Sequence, residues 1–231
     1  MAVRIAARTD VMSATNGLPG TVRTIAFWMK SITSHTDYSP AMDLPATTAN
    51  SAPTWSYIGT KNASPNLVYA QSPSFESTAY VASANTWYKV CAVCNGTSLT
   101  WYRAPDGSVL TTYSDTIGSL TPAKLWIGGS SWPAEWLDGA ICDFKLWNVA
   151  LTLAEVNAEF ASSYVAVKTS GLLRHHRLIV GETTDYSGNG NVLTLGTTTP
   201  VYTAGPASLT EPSAGPALVI PPRRRGANFR R

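Results

Sequence analysis

The stretch ICDFKLWNVALTLAEV, from Ile141 to Val156, changes its periodicity halfway along. Between Ile141 and Trp147 apolar residues alternate with others, which places Cys142, Phe144 and Leu146 on one side of a strand and Asp143 and Lys145 on the other, as in a half-buried strand. Thr152 and Glu155 then stand in the Thr-x-x-Glu spacing of a capping box. Leu151 ahead of the cap and Val156 behind it are placed to form a hydrophobic staple. A strand feeding a short helix that opens at Thr152 is therefore expected.

Working outward, 231 residues suit one sizeable domain with appendages or two small ones. Only 13% of the residues are charged, against eight Trp and ten Tyr, a mix that favours pleated, half-buried surfaces over solvated helices. The formal charge is +3, but Arg223, Arg224, Arg225, Arg230 and Arg231 lie together with no acid among them, and the rest of the chain has a slight acidic excess. The positive charge belongs to a terminal arm and not to a face, which argues against nucleic acid as a partner of the folded body. No apolar run reaches the roughly 18 residues of a membrane span, and MAVRIAARTD lacks the apolar core of a secretory signal, so no membrane partner is expected.

Three cysteines do not make a disulfide framework. Cys91 and Cys94 fall in the strand-like WYKVCAVCNG, where their odd spacing sends them to opposite faces, and Cys142 alone cannot supply a second ligand pair for zinc. They read as buried structural thiols, with neither metal nor cofactor expected.

TIAFWMKS, Thr24 to Ser31, is a strand that follows the turn-prone NGLPG. From His35 to Pro53 the chain is rich in Ser, Thr, Pro and Asn, the composition of an extended surface loop. Strands then recur as WSYIGT, NLVYAQ, TWYKVCAVCNG and KLWIGG. Leu99 to Ala104 and Ser108 to Tyr113 pair as a hairpin across a Pro-Asp-Gly turn, since Asp-Gly tolerates positive φ. Short strands at regular spacing with almost no helix indicate a sandwich or jelly roll.

TIAFWMK, TWYKVCAVCNGTSLTWYRAPDG, LWIGG and WLDGAICDFKLWNVALTLAEV resemble, in order and spacing, the LamG-like, concanavalin A-like jelly-roll domains. The most specific part is Asp138-Gly139, then Asp143, Asn148, Ala150, Leu151, Thr152 and Glu155. The resemblance runs from about Ile5 to Phe160. It implies an all-β fold, a two-sheet antiparallel jelly-roll sandwich with one short helix, occupying residues 1–165. GLLRHHRLIVGETTDYSGNGNVLTLGTTTPVYTAGP resembles a leading strand and loop of such domains, yet here follows the helix. Residues 166–205 are thus additional strands that either complete the same sandwich or pair with a neighbouring subunit. Residues 206–231, rich in Pro, Ala and Ser, cannot bury enough apolar surface to fold alone and form an extended C-terminal arm. Its Arg223, Arg224, Arg225, Phe229, Arg230 and Arg231, behind Pro221 and Pro222, suit docking on a neighbouring protein, where arginine makes bidentate contacts.

For catalysis, related glycanases place closely spaced acids in a Glu-x-Asp-x-x-Glu pattern, which this chain lacks. Asp106 falls in a turn, Glu155 in a helix cap, and Asp138 before Gly139. His175 and His176 are adjacent and face opposite ways, His35 is isolated, and no Gly-x-Ser-x-Gly elbow is present. No enzyme and no catalytic residue are expected. DYSGNGN, Asp185 to Asn191, begins like a calcium loop, but Gly196 stands at the twelfth position, so a tight turn is expected instead. The best binding candidates are Trp132 and Trp136 in SSWPAEW, at a loop edge where flat rings can stack on sugars, followed by Trp55 and Tyr57. The resemblance to single-module LamG-like proteins of bacteriophage virions implies a non-enzymatic structural component of the virion, decorating the capsid or associated with the tail. Its expected partners are virion proteins and copies of itself, with the arm as anchor. The alternative is a carbohydrate-binding module or lectin that uses its exposed Trp residues on cell-surface glycan.

Overall fold

The structure, a computed structural model, describes residues 1–31, 38–47, 56–61, 66–71, 75–76, 80–81, 83–106, 111–179, 183–197 and 201–209. In chain order the strands are β1 (Ala2–Ile5), β2 (Met12–Ala14), β3 (Arg23–Ser31), β4 (Tyr38–Asp43), β5 (Ser56–Lys61), β6 (Asn66–Gln71), β7 (Phe75–Glu76) and β8 (Tyr80–Val81). They continue with β9 (Tyr88–Asn95), β10 (Ser98–Pro105), β11 (Thr111–Thr116), β12 (Leu125–Ile127), β13 (Gly139–Trp147), β14 (Leu172–His176) and β15 (Val201–Thr203). Among the described residues one α-helix, α1 (Leu153–Ala161), follows β13. The larger sheet has the order β11-β10-β9-β3-β13-β1-β15, with β14 also on β13; the smaller runs β2-β12-β4-β5-β6-β7, with β8 also on β6. Every strand pairing is antiparallel. The fold is the jelly-roll sandwich, and β14 and β15, from the segment after the helix, both lie in its larger sheet.

Between the sheets Ile25, Phe27, Ile58, Tyr69, Trp101, Ile127, Ile141 and Phe144 form the main core. Phe27 and Phe144 stack with ring centroids 5.9 Å apart. Cys94 lies in this core, whereas Cys91 lies in a cluster with Trp147, Leu151 and Val156 on the outer face of the larger sheet, as their odd spacing requires. Helix α1 covers that face. Its capping box is formed, with the Glu155 N–H donating to Thr152 Oγ1 at 3.3 Å and the Thr152 N–H donating to Glu155 Oε2 at 2.8 Å.

Strand β13 departs from the expected alternation. Asp143 has φ +52°, and the pairing of β13 with β3 shifts register between Cys142 and Lys145. This bulge turns Cys142 to the outer face, away from Phe144 and Leu146, which stay in the inter-sheet core. All nine residues of the strand are buried, Asp143 and Lys145 included, because α1 and the chain after it lie over the polar side. There Lys145 Nζ stands 3.0 Å from Asp143 Oδ2 and also pairs with Glu159, while His175 Nε2 lies 3.2 Å from Asp143 Oδ1. The ionic residues that a strand pattern assigns to solvent are instead paired with one another in the interior.

Part of the segment read as a surface loop is β4. Ala41, Met42 and Leu44 are buried in the core, and β4 lies between β12 and β5 in the smaller sheet. Its disguise is Pro40, which sits where the pairing with β5 shifts register, so the strand accommodates a residue that cannot donate to a ladder. Two short strands, β1 and β2, precede the first strand legible in the sequence. The expected β10–β11 hairpin pairs with Arg103 opposite Thr111, and residues 107–110, where its turn was expected, lie outside the described residues.

The DYSGNGN segment is a closed turn. The Asp185 carboxylate accepts the N–H groups of His175, Ser187 and Asn191, and Asn189 Nδ2 donates to the Leu172 carbonyl at 2.7 Å. Burial would raise the Asp185 pKa, but these donors outweigh it and hold the carboxyl below its usual range. At the start of the C-terminal arm, Leu209 packs with Ala2, Trp28 and Trp87, and the Ala207 N–H donates to Asp106 at 2.7 Å. The arm residues from Arg223 to Arg231 lie outside the described residues.

Candidate functional site

The site forms on the outer face of the smaller sheet. Across it, Ile127, Met42, Ile58 and Tyr69 make one row of neighbours whose side chains enter the inter-sheet core. In the adjacent row Asp43 opposes Trp126 on one side and Tyr57 on the other, so strand alternation turns Asp43 and Tyr57 outward. Tyr38, at the start of β4, packs edge-on to Tyr57, with ring centroids 5.4 Å apart and planes at 80°.

A turn closes over this face. After β12 the Gly128 N–H donates to the Ala41 carbonyl at 2.6 Å, Gly129 bridges to Trp136, and the Glu135 N–H donates to the Trp132 carbonyl at 3.1 Å. Inside the turn Ser130 Oγ donates to Glu135 Oε2 at 2.6 Å and accepts the Trp132 N–H at 3.0 Å. The Ser131 N–H donates to Asp43 Oδ2 at 2.9 Å, which fixes the turn to the sheet. Tyr38, Asp43, Tyr57, Ser130, Trp132 and Glu135 thereby enclose a cavity of about 250 Å³.

Trp132 is 42% exposed at the rim, a high value for so large an apolar ring, whereas Asp43 at the base is 1% exposed. Burial pushes the Asp43 carboxyl up to about 7; the Ser131 N–H opposes that shift and the charge of Glu135 adds to it. The Ser131 hydroxyl also acts to lower the Asp43 pKa, and both it and Asp43 Oδ1 are buried from solvent. Arg8, whose charge acts on both acids, lies 4.6 Å from the centroid of the Trp126 ring, and Lys124 Nζ lies 3.7 Å from the same ring.

Of the residues singled out from sequence, Trp132 and Tyr57 line this one cavity. Trp136 is partly buried and packs against the inter-sheet core. Trp55 and the arm residues Arg223, Arg224, Arg225, Phe229, Arg230 and Arg231 lie outside the described residues. The sequence reading missed Tyr38, Asp43 and Glu135. It took the acids as scattered, but Asp43 and Glu135 meet in one pocket although they are far apart in the chain. Glu135 sits inside SSWPAEW itself, whereas Asp43 is hidden in the stretch read as a loop. Among the described residues no group of three or more His, Cys, Asp and Glu side chains is placed to hold a metal ion. No helix among them is long and apolar enough to cross a membrane.

A two-sheet jelly roll with an aromatic pocket on its smaller sheet defines the class. Residues 6–157 match the laminin G type of family described as the concanavalin A-like lectin/glucanases superfamily, and the chain belongs to it. No curated protein sequence matches it. Among solved structures it is similar to the enzymatically active domain of tailspike protein 2 of bacteriophage CBA120, with a TM-score of 0.56 and 10% identity over 77% of this chain and 31% of that one. The full-length tailspike protein 2 of an Escherichia coli O157:H7 bacteriophage gives 0.53 and 9% over 77% and 28%. The chain thus spans less than a third of the length of either tailspike, and the likeness is one of fold. A pentraxin of Limulus polyphemus is 18% identical over 83% of this chain and 97% of that one, with a TM-score of 0.46.

Proposed function

We propose that the chain is a non-catalytic carbohydrate-binding sandwich whose ligand enters the pocket beneath Trp132. The observation that carries this is the pocket itself. An exposed indole at the rim, two tyrosines at the wall and two carboxylates supply the apolar faces and the hydrogen-bonding groups with which proteins hold sugar rings. Each carboxylate also has a structural task, Asp43 receiving the Ser131 N–H and Glu135 the Ser130 hydroxyl, so both hold the turn that carries Trp132. The setting we propose is the surface of a bacteriophage particle, in the capsid or the tail, with copies of the chain and virion proteins as partners and the C-terminal arm as anchor. The fold it shares with phage tailspikes supports that setting.

The test is a glycan array probed with the full chain, followed by incubation of the best glycan and assay for released reducing ends. Retained binding with no release is expected. Release that disappears in Glu135→Gln would establish the second reading, a glycoside hydrolase. That reading is favoured by the raised pKa of Asp43 beside Glu135, since a neutral acid next to a charged one is the division of labour that glycoside hydrolysis uses. Sedimentation of the chain with purified particles, abolished by removing Arg223 to Arg231, tests the setting.

A further inference from the structure

We infer that the chain carries a second binding site, on the outer face of the larger sheet, which holds the carboxylate of an acidic sugar against Arg177. His175 and Arg177 line a cavity of about 200 Å³ there, with Thr169, Leu172, Val165 and Tyr186 around them, and none of these residues lines the pocket under Trp132. The volume is below the roughly 300–1,000 Å³ of pockets that take drug-sized molecules, so a single sugar ring fills it.

Strand β14 builds the cavity. Its pairing with β13 shifts register between Leu146 and Trp147, so Leu172 and His175 both turn to the outer face, and Arg177, two residues after His175, follows them. The Asp143 N–H donates to the Arg177 carbonyl at 2.9 Å, which fixes this backbone beside the bulge in β13. Arg174 turns the other way, and its Nη1 donates to the Asn191 carbonyl at 2.6 Å.

Arg177 is a cation without an anion. Around it Lys145 pairs with Asp143 and Glu159, Lys168 Nζ stands 2.7 Å from Glu155 Oε1, and Lys89 Nζ donates to the Glu159 carbonyl at 2.5 Å. The nearby Asp185 carboxylate is taken up by the N–H groups of His175, Ser187 and Asn191. The Arg177 guanidinium lies 3.8 Å from the centroid of the Tyr186 ring; among the described residues it forms no ion pair, and its Nε has no hydrogen-bond acceptor. An arginine held on an aromatic ring keeps its N–H edge for a planar acceptor, and a carboxylate meets that edge with two parallel hydrogen bonds.

The rest of the lining decides what carries the carboxylate. One unpaired cation matches one negative charge, so a doubly charged phosphate would leave a charge unmatched. Thr169, exposed on the cavity wall, brings a hydroxyl, and Tyr186, 38% exposed, brings a ring, while Leu172 and Val165 are apolar. Hydroxyl and ring together suit the hydroxyls and the C–H face of a pyranose, and a uronic acid joins these to a carboxylate.

The experiment is isothermal titration calorimetry of the full chain with glucuronate, its uncharged methyl ester, glucose and acetate at neutral pH. Glucuronate is expected to bind about tenfold more tightly than the other three. The preference should vanish in Arg177→Gln, weaken in Thr169→Val and persist in Trp132→Ala; Thr169→Val, at an exposed position, keeps the test decisive if Arg177→Gln disturbs the fold. Equal affinity for glucuronate and its ester would overturn the inference. Acetate binding as tightly as glucuronate would overturn it in favour of any carboxylate, that of an acidic peptide included. Glucuronate binding lost in Trp132→Ala but kept in Arg177→Gln would overturn it and leave the reading of the Trp132 pocket standing. Failure of glucuronate to bind would overturn the inference without touching glycan binding beneath Trp132.

Discussion

Lys145 Nζ and Asp143 Oδ2 lie 3.0 Å apart with neither side chain exposed to solvent, in the middle of the most heavily covered strand of the sandwich. Glu159 from α1 completes the cluster, so one ammonium ties the bulge in β13 to the helix above it. Removing that ammonium takes the ion-pair partner from two buried carboxylates, of which Asp143 keeps His175 and Glu159 keeps the Val167 N–H. Lys145→Met is therefore expected to cost about 3–5 kcal/mol in urea unfolding, and the double variant Lys145→Met, Glu159→Leu to recover part of the loss. A single-variant cost below about 1 kcal/mol would mean that water reaches this cluster.

Asp43 makes stability depend on pH in the opposite sense to a paired carboxylate. Its folded pKa of about 7 lies above that of an unfolded aspartate, about 4. Between those values the folded chain holds a proton that the unfolded chain has shed. The stability that neutral Asp43 contributes is thus complete below pH about 4 and is lost as pH rises through about 7, at roughly 1.4 kcal/mol for each pH step of one within that window. Urea midpoints measured across this window should fall more steeply for the natural chain than for Asp43→Asn. Parallel curves would show that the carboxyl is hydrated.

Gly59 is required by the close approach of β4 and β5 beneath the pocket. A Cβ at this position would stand 2.4 Å from the Ser39 carbonyl oxygen and 2.6 Å from the Pro40 Cα, both backbone atoms that cannot swing aside. Gly59→Ala is expected to destabilise the chain by about 1–3 kcal/mol, read from thermal melts, and to weaken ligand binding, because β4 carries both Tyr38 and Asp43.

The helix cap is a more local device. Thr152→Ala removes the acceptor for the Glu155 N–H at the exposed end of α1 and should cost about 1 kcal/mol, with ligand affinity unchanged. An affinity change would tie the helix to the pocket, which lies on the other sheet.

What the sequence disclosed and what it concealed follow from the range of each signal. The Thr152 to Glu155 box and the odd spacing of Cys91 and Cys94 are local patterns, and the structure forms both as spacing dictates. The bulge at Asp143 is invisible to alternation, because one residue with positive φ exchanges the faces on either side of it. Lys145 read as a surface residue because nothing on its own strand shows that α1 will cover it. The pocket was half legible: the exposed Trp132 belongs to a Trp-rich turn, but Asp43 joins it only through the pairing of β4 with β12 and the hydrogen bond to Ser131. Long-range pairing of that kind leaves no mark on a segment whose composition is that of a loop.

The central claim is that the cavity beneath Trp132 is where ligand binds. Its most direct test is the calorimetric affinity of the natural chain and of Trp132→Ala and Tyr57→Ala for the best glycan from the array. A loss on the order of tenfold or more in both variants, with unfolding midpoints intact for Trp132→Ala, is predicted. Undiminished affinity in both would place the ligand elsewhere and contradict the account.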